Sequence, residues 1–325
     1  MMLPNLVHLH LLLNHWPIIG TFIAVGMYLV ALLAKSYDLT KATLVLFALM
    51  ALFSIPAYLT GNLAQIMIQG EPGVSQSIIE THQGAALVAF IALEITGGFA
   101  WVGVWQFRRD RRLARWTRWT VLVSSIVTVG FIIVTGSTGG AIRHPEIISG
   151  KQTASVVGTL GSQLFAATQY VMTDSSRWVW PVIETLHFVG LSLLLGAVGI
   201  LNLRMLGLLK QLPVGPLHRF IPWGLAGFAI NVVTGMLFFV AMPYFYVLNL
   251  DFHFKMVAIV LAGVNLLIYS TGFTRSHEEI GANQDAPVAA KFLAATSLVL
   301  WIAVIVFGRY MPLFEESLAP TSQSR

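Results

Sequence analysis

The chain has 325 residues, of which 56% are hydrophobic and 10% charged, with a formal net charge of +5 and a mean hydropathy of +0.77. Soluble domains carry about 25% charged residues, so a fold with a fully water-exposed surface is excluded. Cysteine is absent, which removes disulfides, thiolate iron–sulfur clusters, covalent c-type haem and Cys-based zinc sites together.

Eight apolar stretches long enough for a bilayer-spanning helix follow one another: Trp16–Ala34, Ala42–Ala64, Gly84–Phe107, Val121–Ile142, Pro181–Leu203, Pro222–Leu248, Phe252–Phe273 and Phe292–Pro312. The runs are continuously apolar rather than alternating, which favours helices over barrel strands. The expectation is an all-α integral membrane protein of eight transmembrane helices in two four-helix units. Pro145–Ser176 is the longest non-spanning stretch and contains enough apolar residues for an interfacial helix. It divides the chain into an N-terminal membrane domain (1–150), an outer-side linker (151–177) and a C-terminal membrane domain (178–325).

Basic residues predict the orientation. Lys35, Lys41, the six arginines from Arg108 to Arg118, Arg204, Lys210, Arg219, Arg275 and Lys291 fall on one side, 13 of the 19 Lys and Arg. The positive-inside rule makes that side cytoplasmic and puts both termini on the periplasmic side of a bacterial inner membrane. The first fifteen residues carry no Lys or Arg, so no signal peptide is read there. The arginine cluster occupies a short interhelical loop and reads as a topology determinant; lipid, and no nucleic acid, is the expected surrounding.

Of nine histidines, His8, His10, His15, His82, His144, His187 and His253 fall toward the outer face, and His218 and His277 toward the other. His15 and His82 open helices one and three. These run parallel and stand diagonally in an up-down bundle, so two imidazoles at matched depth can clamp a haem iron. His187 and His253 are the corresponding pair of the second unit. Their depths match less well, since His187 lies about 9 Å into its helix and His253 at the interface. His10 and His144 are further candidate ligands. A five-residue step turns about 140° on a helix, so His10 and His15 cannot share one site if a single helix covers both.

Imidazole suits iron and copper. Gly61, Gly136, Gly139 and Gly140 leave room for a macrocycle, and Arg143 and Arg309 are candidate partners for its propionates. The expectation is one or two haem b groups. Copper is the alternative, bound by His15 and His82 with His8, His10, His144 and nearby Met67 or Met172. Glu94, mid-span in helix three, is a candidate proton relay or quinone contact, or a carboxyl group bonded to its neighbours such as Thr96. Glu184 precedes His187 by one helical turn and could orient it. Asn231 and Asn265 are candidate interhelical bridges. Phosphate-binding, serine-hydrolase, zincin and dinucleotide motifs are missing, so any chemistry is expected within the membrane, at its outer surface or on a partner.

Along residues 1–150, His10-Leu-Leu-Leu-Asn-His15-Trp-Pro-Ile18, Thr60-Gly61, His82 and Thr138-Gly139-Gly140-Ala-Ile-Arg-His144 resemble the bacterial membrane family called domain of unknown function 2231. Trp16 stands where that family has another aromatic, and Leu11 where it commonly has proline. Residues 178–273 are similar to domain of unknown function 6644. The likeness rests on Glu184-Thr-Leu-His187-Phe-Val-Gly190, Leu203-Arg204-Met-Leu-Gly207, Thr234-Gly235 and Asn249-Leu-Asp-Phe-His-Phe-Lys255. The second pattern does not require a histidine at position 253. Both resemblances imply four-helix membrane units with outer-side histidines, and neither implies a reaction.

Three classes of function follow. The first is a b-type cytochrome-like electron-transfer subunit linking quinone to an outer-side redox protein or larger membrane complex. The second is a copper-handling protein, and the third an anchor or assembly subunit whose histidines are merely interfacial.

Overall fold

Long apolar runs without internal polar breaks become long helices. The structure, a computed structural model, describes residues 6–109, 113–143, 156–272 and 280–318. In chain order these form α1 (Leu6–Leu33), α2 (Tyr37–Ile68), α3 (Gln76–Arg109), α4 (Arg115–Arg143), α5 (Val156–Thr173), α6 (Val179–Leu206), α7 (Val214–Leu217), α8 (Ile221–Ala241), α9 (Pro243–Leu248), α10 (Leu250–Gly272) and α11 (Val288–Leu318). A 3-10 turn, His218–Phe220, joins α7 to α8. Among the described residues, eight helical spans are long and apolar enough to cross a membrane, with α7 and α8 counted as one span, Val214–Ala241. The chain is thus an all-α, multi-pass membrane protein.

Contacts divide it into two units, Met1–Val171 and Met172–Arg325. In the first, α1 packs on α2, α2 on α3, α3 on α4, and α4 back on α1. That closed ring makes α1 and α3 diagonal partners. The apolar core lies at one end, where Tyr28, Leu44, Phe47, Val104 and Val121 are almost fully buried. Here Tyr28 Oη donates to the Arg118 carbonyl at 3.2 Å. The opposite end, where α1 and α3 begin and α2 and α4 finish, holds His10, Asn14, Asn62 and His82 instead. α5, in the stretch read as a linker, lies against α3: Ser162 Oγ donates to the Glu80 carbonyl at 3.1 Å.

α1 starts at Leu6, well before the expected Trp16, because no residue between them breaks a helix. Pro17 inside it lacks an N–H, while its carbonyl accepts from Thr21 Oγ1 at 2.6 Å. At the other extreme, the apolar run to Leu248 does not stay one helix. Pro243 cannot donate to a preceding carbonyl, and Met242 leaves helical geometry (φ −136, ψ 60), so α8 stops at Ala241 and the short α9 follows.

In the second unit α6 packs on α8 and α11, and α10 packs on α11. The core again sits at one end, around Met205, Val214, Ala290 and Ala294. Arg204, with no exposed surface, is anchored there. Its guanidinium donates to the carbonyls of Leu212, Gly281 (2.9 Å) and Gln284 (3.1 Å). Gly207 ends α6 at φ 94, a left-handed conformation that suits glycine, with Leu208 N donating back to the Leu203 carbonyl at 3.0 Å. α10 is started by Asn249, whose Oδ1 accepts from Asp251 N (2.9 Å) and Phe252 N (3.3 Å) while its Nδ2 donates to the Met311 carbonyl.

Candidate functional site

The buried stripe of α1 runs Pro17, Thr21, Ala24, Tyr28, Ala31, a helical repeat of three and four residues. Continued backward it passes through Asn14 and His10 and misses His15. The structure follows that stripe. His10 turns onto α2, where its Nδ1 donates to the Ala57 carbonyl at 3.0 Å and lies 3.4 Å from Thr60 Oγ1. His15 is exposed, its Nδ1 bonded to the Leu11 carbonyl of its own helix.

His82 of α3 repeats the arrangement of His10 on α4. Its Nδ1 donates to the Thr135 carbonyl at 3.1 Å and lies 3.2 Å from Thr138 Oγ1. Each threonine hydroxyl donates to its own helix, Thr60 to Pro56 and Ala57, Thr138 to Val134 and Thr135. A carbonyl can only accept, so Nδ1 carries the hydrogen in both rings and Nε2 keeps its lone pair. Glycine allows the close fit. A Cβ built on Gly61 would lie 3.0 Å from His10 Cε1, and one on Gly139 would lie 3.0 Å from His82 Cε1. Two hairpins, α1–α2 and α3–α4, thus hold an imidazole by the same means on diagonal helices. The two rings are within electrostatic reach of one another. Asn14, one turn after His10, has its Oδ1 buried with no hydrogen-bond partner among the described residues.

The second unit contains a third copy. His187 of α6 lies against α8, its Nδ1 2.7 Å from Thr234 Oγ1. The Thr234 hydroxyl donates to the Ile230 carbonyl at 2.7 Å, so it accepts from Nδ1–H. A Cβ on Gly235 would lie 3.8 Å from His187 Cε1. In the remaining hairpin, α10–α11, the corresponding glycine is Gly308 and the side chain on it is Lys255, its Nζ 3.7 Å from a Cβ built there. His253 is instead turned to the end of α9, its Nε2 donating to the Val247 carbonyl at 2.7 Å. Lys255, not His253, is thus the side chain that lies on the glycine of this hairpin, within electrostatic reach of His187.

Glu94 accepts from Ser54 Oγ on α2 at 2.9 Å. Thr96 bonds elsewhere, its hydroxyl 3.0 Å from Thr128 Oγ1 on α4. Along α3, Glu94 is about 18 Å from His82. Arg309 is exposed beside Gly308 on α11, and His8 is exposed on α1. Only the backbone of Arg143, at the end of α4, is described, and His144 and His277 lie outside the described residues. Among the described residues no three His, Cys, Asp or Glu side chains gather as a metal-binding group.

Sequence reasoning set His15 ahead of His10, naming His10 only as a further candidate ligand, and did not single out Lys255 as a site residue. The stripe on α1 carried the first signal. The spacing of Lys255 ahead of Gly308, similar to that of His10 ahead of Gly61, carried the second.

Eight apolar spans and paired, glycine-backed imidazoles define a multi-pass helical membrane protein with a repeated histidine hairpin. Comparison with family models, curated proteins and solved structures returns no match for this chain.

Proposed function

We propose that this chain is a b-type cytochrome-like electron-transfer subunit whose first unit holds one haem between His10 and His82. The observation that carries the reading is the matched pair of imidazoles on diagonal helices. Each ring is fixed through Nδ1 and left with Nε2 as a ligand nitrogen, and a carbonyl or hydroxyl behind a ligating histidine is what fixes its tautomer and aim. Two imidazoles alone suit a metal whose other four ligands come from a macrocycle. A protein-bound copper ion draws three or four side chains together, so the donor set favours haem. The orphaned Asn14 amide supplies a polar contact beside such a ring. The position of Arg143 at the end of α4 suits a propionate partner.

Haem bound there supplies one-electron exchange at iron. The residues of the chain hold the imidazoles, exclude side chains at positions 61 and 139, and keep the site in apolar surroundings. With the arginine-rich loops cytoplasmic, the histidine ends of both units face the periplasm of a bacterial inner membrane. Electrons would then pass between quinone in the bilayer and a redox protein or larger complex on the outer side. The division of the contacts into two compact units supports reading each as its own helical unit.

The test is haem content of protein purified from haem-replete cells, by pyridine haemochrome. One haem per chain is expected, lost in His10→Ala and in His82→Ala and kept in His15→Ala. Purification as apoprotein, or loss of haem only in His15→Ala, would overturn the reading.

A further inference from the structure

Three of the four hairpins share one device: a histidine on the first helix, and a Thr-Gly pair on the second that fixes Nδ1 and lets the ring lie close. The fourth has Lys255 in the histidine position and Phe307-Gly308 in the Thr-Gly position. The first unit thus opposes two nitrogen lone pairs. The second opposes one lone pair, His187 Nε2, to a primary amine, Lys255 Nζ. An ammonium group is a donor with no lone pair to give a metal, so the exchange changes the class of ligand the unit can hold.

We infer that the second unit binds the headgroup of a membrane quinol between His187 and Lys255. The inference rests on the electron-transfer reading, and it names where that reading's quinone partner docks. A hydroquinone ring matches the donor set at both ends. One hydroxyl donates to His187 Nε2, and the opposite oxygen accepts from Lys255 Nζ.

The surroundings suit a flat ring. Phe238 stands edge-on to His187 at 5.8 Å between centroids and against Trp180 at 4.8 Å. Phe239 stacks on Phe252 at 5.9 Å, and Tyr246 lies 5.1 Å from Phe252. These aromatics lie at the same end of α6, α8 and α10 as the two polar groups. Tyr246, in α9 outside the spans, has its phenol pushed up to about 12 by burial, with Glu184 adding to the effect, so its hydroxyl keeps its proton.

A lysine near a membrane interface can instead extend its stem toward lipid phosphate, and the experiment separates the two. Full-length protein in phosphatidylcholine nanodiscs is titrated anaerobically with a short-tailed dimethoxy-methyl hydroquinone, with bound ligand read by equilibrium dialysis. The assay does not use haem, so failure of the haem reading is scored separately. Saturable binding of one hydroquinone per chain is expected, weakened roughly tenfold or more in Lys255→Met and in His187→Phe. Lys255→Arg, which keeps a cationic donor, stays within about threefold of the native chain. Helicity and monodispersity identify variants that fail to fold, and the wild-type titration stands without them. Absence of saturable binding to the wild type would overturn the inference. So would equal affinity in Lys255→Met, as a lipid-phosphate anchor predicts, or a second haem lost in His187→Phe.

Discussion

At Gly139 an added Cβ would lie 3.0 Å from Cε1 and 3.3 Å from Nδ1 of His82, and at Gly61 the same two distances separate it from the ring of His10. Contacts that short oblige the ring to move, and the ring is pinned by the Thr135 carbonyl and the Thr138 hydroxyl. Gly139→Val should therefore break the bond at Nδ1 and misdirect Nε2. Loss of such supporting contacts weakens ligand sites roughly tenfold or more, and the ratio of Soret to protein absorbance should fall accordingly. Gly136→Val, one turn away and facing open space, should leave the ratio unchanged. Equal ratios in both variants would mean that the glycine contact does not position the ligand. His82, Gly61 and Gly139 were all legible in the sequence as candidates, because histidine and glycine at membrane depth are conspicuous. The choice between His10 and His15 depended on where α1 begins. That is set by a helix running through Asn14 and Pro17, and neither residue signals continuation.

Where helices meet their connecting loops, charge takes over from apolar packing. Lys210 in the turn after α6 and Lys291 in the first turn of α11 both reach Asp285, at 3.2 and 2.8 Å. Hydrogen bonds from Lys291 and then Lys210 hold its carboxyl below the usual carboxylate range. A carboxyl depressed in the folded state stabilises it above the unfolded value, about 3.9. That contribution is lost as pH falls through the folded value. Asp285→Asn should accordingly melt slightly below the wild type at pH near 6, and the gap should narrow as pH falls below the usual carboxylate range of about 3.9. Because the pair is exposed, the gap should also shrink in high salt. Thermal circular dichroism in detergent across that pH range reads it; a gap that persists at low pH would assign the difference to something other than the ion pair. The same loop contains two of the three carbonyls that Arg204 holds, those of Gly281 and Gln284. The sequence placed Arg204 among the basic loop residues, with no hint that its guanidinium is buried. Burial here depends on a loop some eighty residues away folding back onto α6, and such long-range closure leaves no local pattern. The break at Met242–Pro243 was legible only as a proline, since hydropathy runs unbroken across it.

For the molecule as a whole, the two units share a polarity. Each has its apolar core at the end carrying the basic loops, and His10 and His82 in the first unit and His187 in the second lie toward the other end. The count of eight spans and the all-helical class were legible from apolar length alone, because the bilayer imposes that length on any helix that crosses it. Orientation is a different quantity, set by which loops stay cytoplasmic during insertion, and it predicts a side for every loop. The absence of cysteine makes it directly measurable, since each introduced thiol is the only one in the chain. Ala34→Cys and Gln211→Cys sit in exposed loops at the basic ends, and Glu71→Cys and Ser176→Cys in exposed loops at the histidine ends. In intact cells with a permeabilised outer membrane, a membrane-impermeant maleimide should label Cys only at positions 71 and 176. Positions 34 and 211 should react after the inner membrane is opened. The reverse pattern would put the histidine pairs on the cytoplasmic side and move the proposed redox partner with them. Labelling of position 71 with 211, or of 34 with 176, would mean that the two units insert in opposite senses. The quinol and the haem would then face different compartments, and electron transfer between them would span the bilayer.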